Sequence, residues 1–546
     1  MADEQRPASG VLRPASGVPD SVRVEQLPSE IWKKIPKYRV SYTQDCIDCG
    51  LCVTACPYDV HKRDEGTLKM ATPESFACIG KICEEKHPVK GDQGVTAQQG
   101  YCVPQCPTDA IRIEPNDNWK ALGDPRWTAD LLFTTWTMAE TGRTPKHGDL
   151  EYRHGASGGG FDSLRFRFAK AREAAPTEQE LLAQDLSIDL NRREYGPKIS
   201  IPVPWYGGGM SYGSVSLNIM LSRARAAQAW KTFVSTGEGG YPKELLPYKD
   251  NIITQVATGM FGVGEDTMAN SRIIEIKYAQ GAKPGLGGHL LSDKNTDVVA
   301  AMRETVAGIS LFSPFPFHSV YSVEDHKKHV DWMHATADAV RLDLKKVRET
   351  ASCDVLVSAK VSTPVDVDMV AVGCYYGGVN IIHLDGGYGG TGAAPDIAKK
   401  NIAMPIEYAV PKVHRFLAAE GIRDQVVLIA SGGIRTPYDV AKAIALGADG
   451  VVLGTSDLVA VNCTRCGNCE SGRGCQHGIA STDPILSRLI MPDWGAQRVI
   501  NMYYAFRMEI AEILWRLNLK SIKELRGRYD LLVHLDKATR NGNGPV

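Results

Sequence analysis

The chain of 546 residues has almost no net charge: 62 lysines and arginines stand against 63 aspartates and glutamates, leaving −1 with histidine neutral. Nucleic-acid and membrane-surface proteins usually present a basic face, so neither partner is expected. Long apolar runs are missing too. No stretch reaches the ~18 residues a membrane helix needs, and no apolar segment of the kind a secretory leader carries follows the polar first residues. A cytoplasmic, reducing environment is therefore expected, where disulfides are rare. Nor is a dinucleotide-binding unit read in the chain, since that requires a Gly-x-Gly-x-x-Gly turn between a strand and the helix it opens. What remains, 43% hydrophobic and 23% charged residues, is ordinary soluble composition. The length implies more than one domain.

Cysteine, by contrast, is abundant and clustered. Eight of the 14 lie between positions 46 and 106, and four more between 463 and 475. The first group opens with Cys46-Ile-Asp-Cys49-Gly-Leu-Cys52-Val-Thr-Ala-Cys56-Pro57. This is the bacterial ferredoxin run, three thiolates on one tight loop and a fourth that ligates the other cluster. Its mate is looser: Cys78, Cys83 and Cys102, then Cys106-Pro107. The expected ligand sets are therefore Cys46, Cys49, Cys52 and Cys106 for one [4Fe–4S] centre, and Cys78, Cys83, Cys102 and Cys56 for the other. Zinc sites take cysteines in separated pairs instead. Cys353 and Cys374 stand alone and are expected to be buried, inert thiols.

Five regions are expected along the chain. Residues 1–40, where Arg-Pro-Ala-Ser-Gly-Val occurs at 6–11 and again at 13–18, form an unstructured or extended tail, because that composition cannot bury a core. Residues 41–115 form a small α+β ferredoxin-like domain closing on the strand Ala110–Glu114. Residues 116–198 connect, packed on both neighbours. Residues 199–500 alternate short β-branched runs with helical stretches, and 501–546 form a C-terminal helical segment. The clearest strands are 232–235, 354–358, 379–383, 426–430 and 450–453, with a helix over Pro437–Leu446. This alternation favours a (β/α)8 barrel, with an open doubly wound sheet as the other α/β solution. Late strands end in glycine turns at Gly386-Gly387, Ser431-Gly432-Gly433 and Gly454-Thr455. In barrels the loops after strands 7 and 8 commonly hold a phosphate on backbone N–H groups. Simple strand-to-helix turns are the other reading of such glycines.

Tyr278-Ala-Gln280-Gly-Ala-Lys283-Pro-Gly-Leu-Gly-Gly-His289 resembles the FMN-binding synthase domain of the glutamate synthase family. So do Gly209–Ser216, Thr236–Gly240, Ser313-Pro314 with His318, Tyr321–Asp325, Gly389–Ala393 and Glu524–Leu532. With the ferredoxin module in front, the chain resembles the archaeal-type members of that family, in which glutaminase and electron-donor functions sit on other chains. The resemblance implies a (β/α)8 barrel binding FMN and the reductive amination of 2-oxoglutarate to L-glutamate with ammonia. It implies a third iron–sulfur centre, a [3Fe–4S] whose three ligands are matched by Cys463, Cys469 and Cys475; Cys466 is additional, and four thiolates can hold a [4Fe–4S] cube. Glu238, Gln280, Lys283 and Arg303 match catalytic positions, Arg303 as a carboxylate clamp suited to guanidinium. Met210, Ser211, Gln280, Lys360, Gly386, Gly390, Thr391, Ser431, Gly432, Gly433, Gly454 and Thr455 match flavin-binding positions. Lys360 would face the edge of the ring that becomes negative on reduction.

The chain opens Met1-Ala-Asp, without the N-terminal cysteine of a class II glutaminase. Ammonia and electrons are therefore expected from partner chains or a ferredoxin, within a hetero-oligomer. Departures at Leu286, Phe315, Phe317, Ser319, Tyr388 and Gln476-His477 touch the substrate face. They leave two alternatives: an electron-relay subunit of a larger complex, or an enzyme like N-methylglutamate synthase acting on another amine.

Overall fold

The computed structural model describes residues 17–28, 35–88, 99–145, 160–170, 175–315, 317–345, 355–392, 394, 397–399, 401–470 and 475–535. The chain divides into a small unit, Pro28–Asp124, and a larger one that joins Met1–Leu27 to Pro125–Val546.

In the small unit the strand Tyr38–Tyr42 pairs antiparallel with Ile111–Pro115, Tyr38 opposite Pro115 and Tyr42 opposite Ile111. Among the described residues its core cluster has six buried members: Val40, Ala55, Cys56, Val60, Cys102 and Ile111. So small a core normally needs a staple, and cysteines within it supply the ligands for one. After each Cys-Pro turn an aspartate takes the left-handed conformation, Asp59 at φ 54° and Asp109 at φ 48°. Aspartate is among the few side chains that enter this region readily. The two halves thus share one turn geometry.

The larger unit is built on a closed barrel of eight parallel strands joined in sequence order. These are β1 Trp205–Gly207, β2 Val234–Ser235, β3 Ile252–Ala257, β4 Ile273–Lys277, β5 Leu356–Ser362, β6 Ile381–Asp385, β7 Val427–Ser431 and β8 Gly450–Leu453. Four expected strands appear within two residues of their expected starts. The fifth appears as β5, with residues 353 and 354 outside the described part. The helix at 437 runs Pro437–Ala445, its N-cap Thr436 accepting from Asp439 N.

Two expected boundaries are corrected. Residues 17–27 are not an unstructured tail: Val18, Val22 and Val24 are buried in the large core, and Asn501 Nδ2 donates to Glu25 O at 2.7 Å. Three valines separated by polar residues fill a groove beside the helices Ala129–Thr141 and Pro492–Arg516 that only the folded barrel creates. Residues 116–198 are not a linker either. The division falls at Asp124/Pro125, and Trp127, Leu132, Trp136 and Met138 beyond it are all buried. The C-terminal helix starts at Pro492, where proline serves as first helical residue, ahead of the expected 501. Among the described residues no helix is long and apolar enough to cross a membrane.

Candidate active site

The eight N-terminal cysteines gather in two places. One small cavity is lined by Cys46, Cys49, Cys52 and Cys106, the other by Cys56, Cys78, Cys83 and Cys102. Burial pushes the Cys83 thiol up to about 11 and Cys102 up to about 12. Such thiols are costly to ionise alone and suit ligands neutralised by metal. His61, pulled down to about 4 by burial, places Nε2 3.3 Å from Cys102 Sγ and Nδ1 2.7 Å from Tyr42 Oη. Hydrogen bonds to cluster sulfurs are one of the levers on reduction potential.

A cleft opens at the C-terminal end of the barrel strands, where barrel enzymes place their chemistry. Its walls include Met210 and Ser211 after β1, Glu238 after β2, Gln280 and Lys283 after β4, and Lys360 on β5. Gly390 and Thr391 line it after β6, Ser431, Gly432 and Gly433 after β7, and Gly454 and Thr455 after β8. Gly432 and Gly433 have φ of 89° and 116°, and a Cβ on Gly432 would lie 2.3 Å from Gly386 O. Glycine is therefore required at 432 both for conformation and for space. Gly386 itself does not face the cleft. Its carbonyl is the point against which Gly281 and Gly432 close, a Cβ on Gly281 falling 2.1 Å from it.

Charge is concentrated on the opposite side of the mouth. Lys277 Nζ lies 3.1 Å from Glu238 Oε2. Burial opposes the Glu238 charge, but Lys277, with Lys283 and Arg303, outweighs it and holds the carboxyl below its ordinary value. Burial, then the like charge of Lys277, brings Lys283 down to about 8, against the pull of Glu238 and Glu470. Lys360 Nζ is 3.3 Å from Asp385 Oδ2. Burial works against its ammonium, while Asp385 and Glu275 raise it further.

Arg303 departs from expectation. It is buried beside the cleft rather than lining it, and Nη2 donates to Ser211 Oγ at 3.1 Å and Tyr212 O at 3.0 Å. A Cβ on Gly239 would lie 2.5 Å from its Cζ. Nη2 thus braces the β1 loop from behind, while Nε is buried with no hydrogen-bond partner among the described residues and the guanidinium feels the Glu238 charge. Of the third cysteine group, Cys469 reaches the cleft wall. Cys463, pushed up to about 12 by burial, feels Cys469 and Cys475, and Cys469 in turn feels Cys475 and Cys466. Among the described residues no three of these side chains converge closely enough to mark a metal site, and the loop between Glu470 and Cys475 lies outside the described part. A Cβ on Gly392 would lie 2.3 Å from Cys469 Cβ, so the glycine loop after β6 and the cysteine loop touch. Lys294, buried, donates to Cys469 O at 2.5 Å and sits 3.6 Å from Glu470.

Several residues at the site lie outside the sequence reading. Trp127 lines the cleft from the segment expected to connect, and Arg126 stacks 3.9 Å over Tyr388. Lys277 and Asp385 line the cleft, and Glu275 and His383 are buried polar groups on the same strands. Their signal was present: in Ile-Ile-Glu-Ile-Lys and Ile-Ile-His-Leu-Asp the charged residues alternate on one face of an apolar strand. Contrary to the reading of no such spacing, Gly387-x-Gly389-x-x-Gly392 does follow a strand. It forms the cleft loop after β6, and the next helix begins only at Ile406, so it does not open a helix as a dinucleotide turn does. A separate cavity of about 990 Å³ has mostly apolar walls, including Tyr321, Val365 and Met369. It gathers none of the site residues.

A family described as a conserved region in glutamate synthase matches residues 161–520, and one described as a 4Fe–4S binding domain matches 42–60. The archaeal-type glutamate synthase (NADPH) of Thermotoga maritima is 36% identical over 519 residues, 92% of this chain and 95% of that one. The archaeal glutamate synthase (NADPH) of Methanocaldococcus jannaschii is 34% identical over 521 residues, 91% and 95% of the two chains. The glutamate synthase (NADPH) large chain of Azospirillum brasilense is 32% identical over 345 residues, 61% of this chain but 21% of its own length. With a barrel whose mouth joins glycine turns, buried lysines and a cysteine loop, behind a module carrying eight cysteines, the chain belongs to the glutamate synthase family and is an iron–sulfur oxidoreductase acting on CH–NH2 donors.

Proposed function

We propose that this chain forms L-glutamate by reductive amination of 2-oxoglutarate at FMN in the barrel cleft. Electrons reach the flavin through two [4Fe–4S] centres in the small unit and a third, [4Fe–4S], held by Cys463, Cys466, Cys469 and Cys475. The observation that carries this reading is the meeting of three elements on one cleft: a glycine cradle, buried ammonium groups and the Cys469 wall. The cradle fits a flavin phosphate, since side chains at Gly432 or Gly433 would fill it. FMN bound there supplies hydride chemistry.

This chain's own residues would then do the rest. Ser431, Gly432, Gly433, Gly454 and Thr455 hold the phosphate end, with Gly390 and Thr391 beside them. Met210 and Ser211 close the opposite wall, and Lys360 sets positive charge under the ring. Glu238, kept ionised by Lys277, orients the amine and excludes a second anion. Lys283, at about 8, is the group able to carry a proton either way near neutrality, and its charged form attracts a substrate carboxylate. Gln280 supplies neutral hydrogen bonds to substrate or ring. Arg303 fixes Ser211 and the Glu238 loop. Ammonia is delivered by a separate amidotransferase-type chain, and electrons by a donor chain or ferredoxin that takes them from NADPH, the reductant in the relatives' names.

Anaerobically purified protein should contain FMN and iron, and should form glutamate from 2-oxoglutarate and ammonium with a reduced viologen dye. Zinc in place of iron would sink the cofactor reading. Flavin reduction with no aminated product from any 2-oxo acid and amine would favour the electron relay.

A further inference from the structure

Beneath the cleft the barrel interior departs from the aliphatic layers usual in this fold. Five consecutive strands contribute to one hydrogen-bonded row. Gln255 Nε2 on β3 donates to Glu275 Oε1 on β4 at 2.7 Å. Glu275 Oε2 lies 2.8 Å from His383 Nδ1 on β6, and Ser358 Oγ on β5 donates to the same oxygen at 3.4 Å. His383 Nε2 is 2.7 Å from Ser431 Oγ on β7. Ser431 Oγ is 2.6 Å from Asp385 Oδ1. Asp385 Oδ2 accepts from Gly281 N at 3.0 Å and pairs with Lys360 Nζ at 3.3 Å. Glu275 and His383 are each 2% exposed.

Counting protons along this row fixes the state of the imidazole. A serine hydroxyl has one proton to give, and an ionised carboxylate only accepts. Asp385 pairs with Lys360 and accepts from Gly281 N, while Glu275 accepts from Gln255 Nε2 and Ser358 Oγ, so donors other than the imidazole hold both groups as carboxylates. Ser431 must therefore spend its proton on Asp385, turning a lone pair toward His383, so Nε2 must be the donor. Nδ1 faces the Glu275 carboxylate and must be a donor as well. An imidazole that donates from both nitrogens is a cation. Of its charged neighbours, Glu275 and Asp385 favour that cation and Lys360 opposes it, two anions against one cation.

We propose that His383 is held as an imidazolium under the cleft floor, positioning Ser431 and Asp385 and adding a second buried positive charge, beside Lys360, beneath the bound group. The row Glu275, His383, Asp385, Lys360 then alternates minus, plus, minus, plus and is neutral as a whole. That neutrality is what allows four charges to be buried together. His383 touches neither substrate nor cofactor and is a positioning residue. It ties the phosphate end of the cleft, at Ser431, to the ring end, at Lys360. This last consequence rests on the flavin reading above, whereas the charge state does not.

The test uses the full-length protein labelled with ¹⁵N-histidine, at pH about 7.5. One histidine should show protons bonded to both ring nitrogens, and that signal should vanish in His383→Asn. If that variant fails to fold, Glu275→Gln should shift the same signal. A ring nitrogen of His383 without a bonded proton would overturn the proposal. Anaerobic titration supplies the second readout: the flavin midpoint should move to lower potential in His383→Asn, which leaves the row with one uncompensated negative charge, while flavin stays bound. An unchanged midpoint would also overturn it. Protein lacking flavin altogether would refute the proposed function, and the nitrogen spectrum would still decide the charge state.

Discussion

The two sides of the barrel mouth are made from different residue types. From β7 through β8 to β1 the strands end in glycines and small hydroxyls, Ser431-Gly432-Gly433, Gly454-Thr455 and Gly207-Gly208-Gly209. β2, β4, β5 and β6 end in or near charges, Glu238, Lys277, Lys360 and Asp385, and β3 contributes the neutral Gln255. Backbone N–H groups are fixed dipoles that do not titrate, so the glycine side can grip a phosphate at any pH. The charged side can change its affinity and exchange protons. One barrel thus separates holding from reacting, and each side should fail in its own way.

Gly432→Ala should give the largest effect. The added methyl meets Gly386 O at 2.3 Å at a φ of 89°, so purified protein should lose most of its flavin, and activity should fall at least about 10²-fold, roughly 2.7 kcal/mol. A variant that keeps both flavin and activity would break the division. Lys360→Met should keep flavin but reduce kcat by about 10²-fold, the scale for removing one preorganised charge contact, with little change in the KM for the 2-oxo acid. Loss of flavin instead would move Lys360 to the holding side.

Lys283 sharpens the comparison by pH. Its ammonium, brought down to about 8, is present below that value and lost as pH rises through it. The KM for the 2-oxo acid should therefore be flat below pH about 8 and rise up to tenfold per unit above it. In Lys283→Arg, which stays charged, the rise should disappear. Arg303→Ala should raise KM by about tenfold, since it acts through Ser211 and the β2 loop. A loss as large as that of Lys360→Met would return Arg303 to direct substrate contact. The smallest effect at the cleft belongs to Cys49→Ser. Flavin content and dye-driven turnover should match wild type, and only reduction by the physiological donor should stop. Normal reduction by that donor would show that electrons do not enter through the small unit.

How much was legible depends on whether a signal is local. Cys46 to Cys56 is a single run, and its chemistry can be read without folding it. The strands β5 to β8 are largely apolar runs, closed by Thr363-Pro364 after β5 and by glycine turns after β6, β7 and β8, as buried parallel strands should be. β1, β3 and β4 were missed: β1 has three residues, and β3 and β4 interrupt their apolar pattern with Gln255, Glu275 and Lys277. Those interruptions are the interior polar row, so the feature that hid the strands is the one that carries their function. Arg303 was matched by position in a motif, but where its guanidinium points is set by Gly239 and Ser211, some 60 and 90 residues earlier in sequence.

The placement of residues 17–27 makes the small unit an insertion within the larger fold, not an appendage at its start. A chain cut at residue 124 would lose Val18, Val22 and Val24 together with the iron–sulfur module, and would expose the groove they fill. The order of synthesis is affected as well. Glu25 finds its partner Asn501 only after 476 further residues, which at about 5–20 residues per second takes roughly half a minute to a minute and a half on the ribosome. The small unit has that interval in which to collect its iron and sulfide. The contacts of residues 17–27 with the helix Pro492–Arg516 can thus form only once Asn501 has been made.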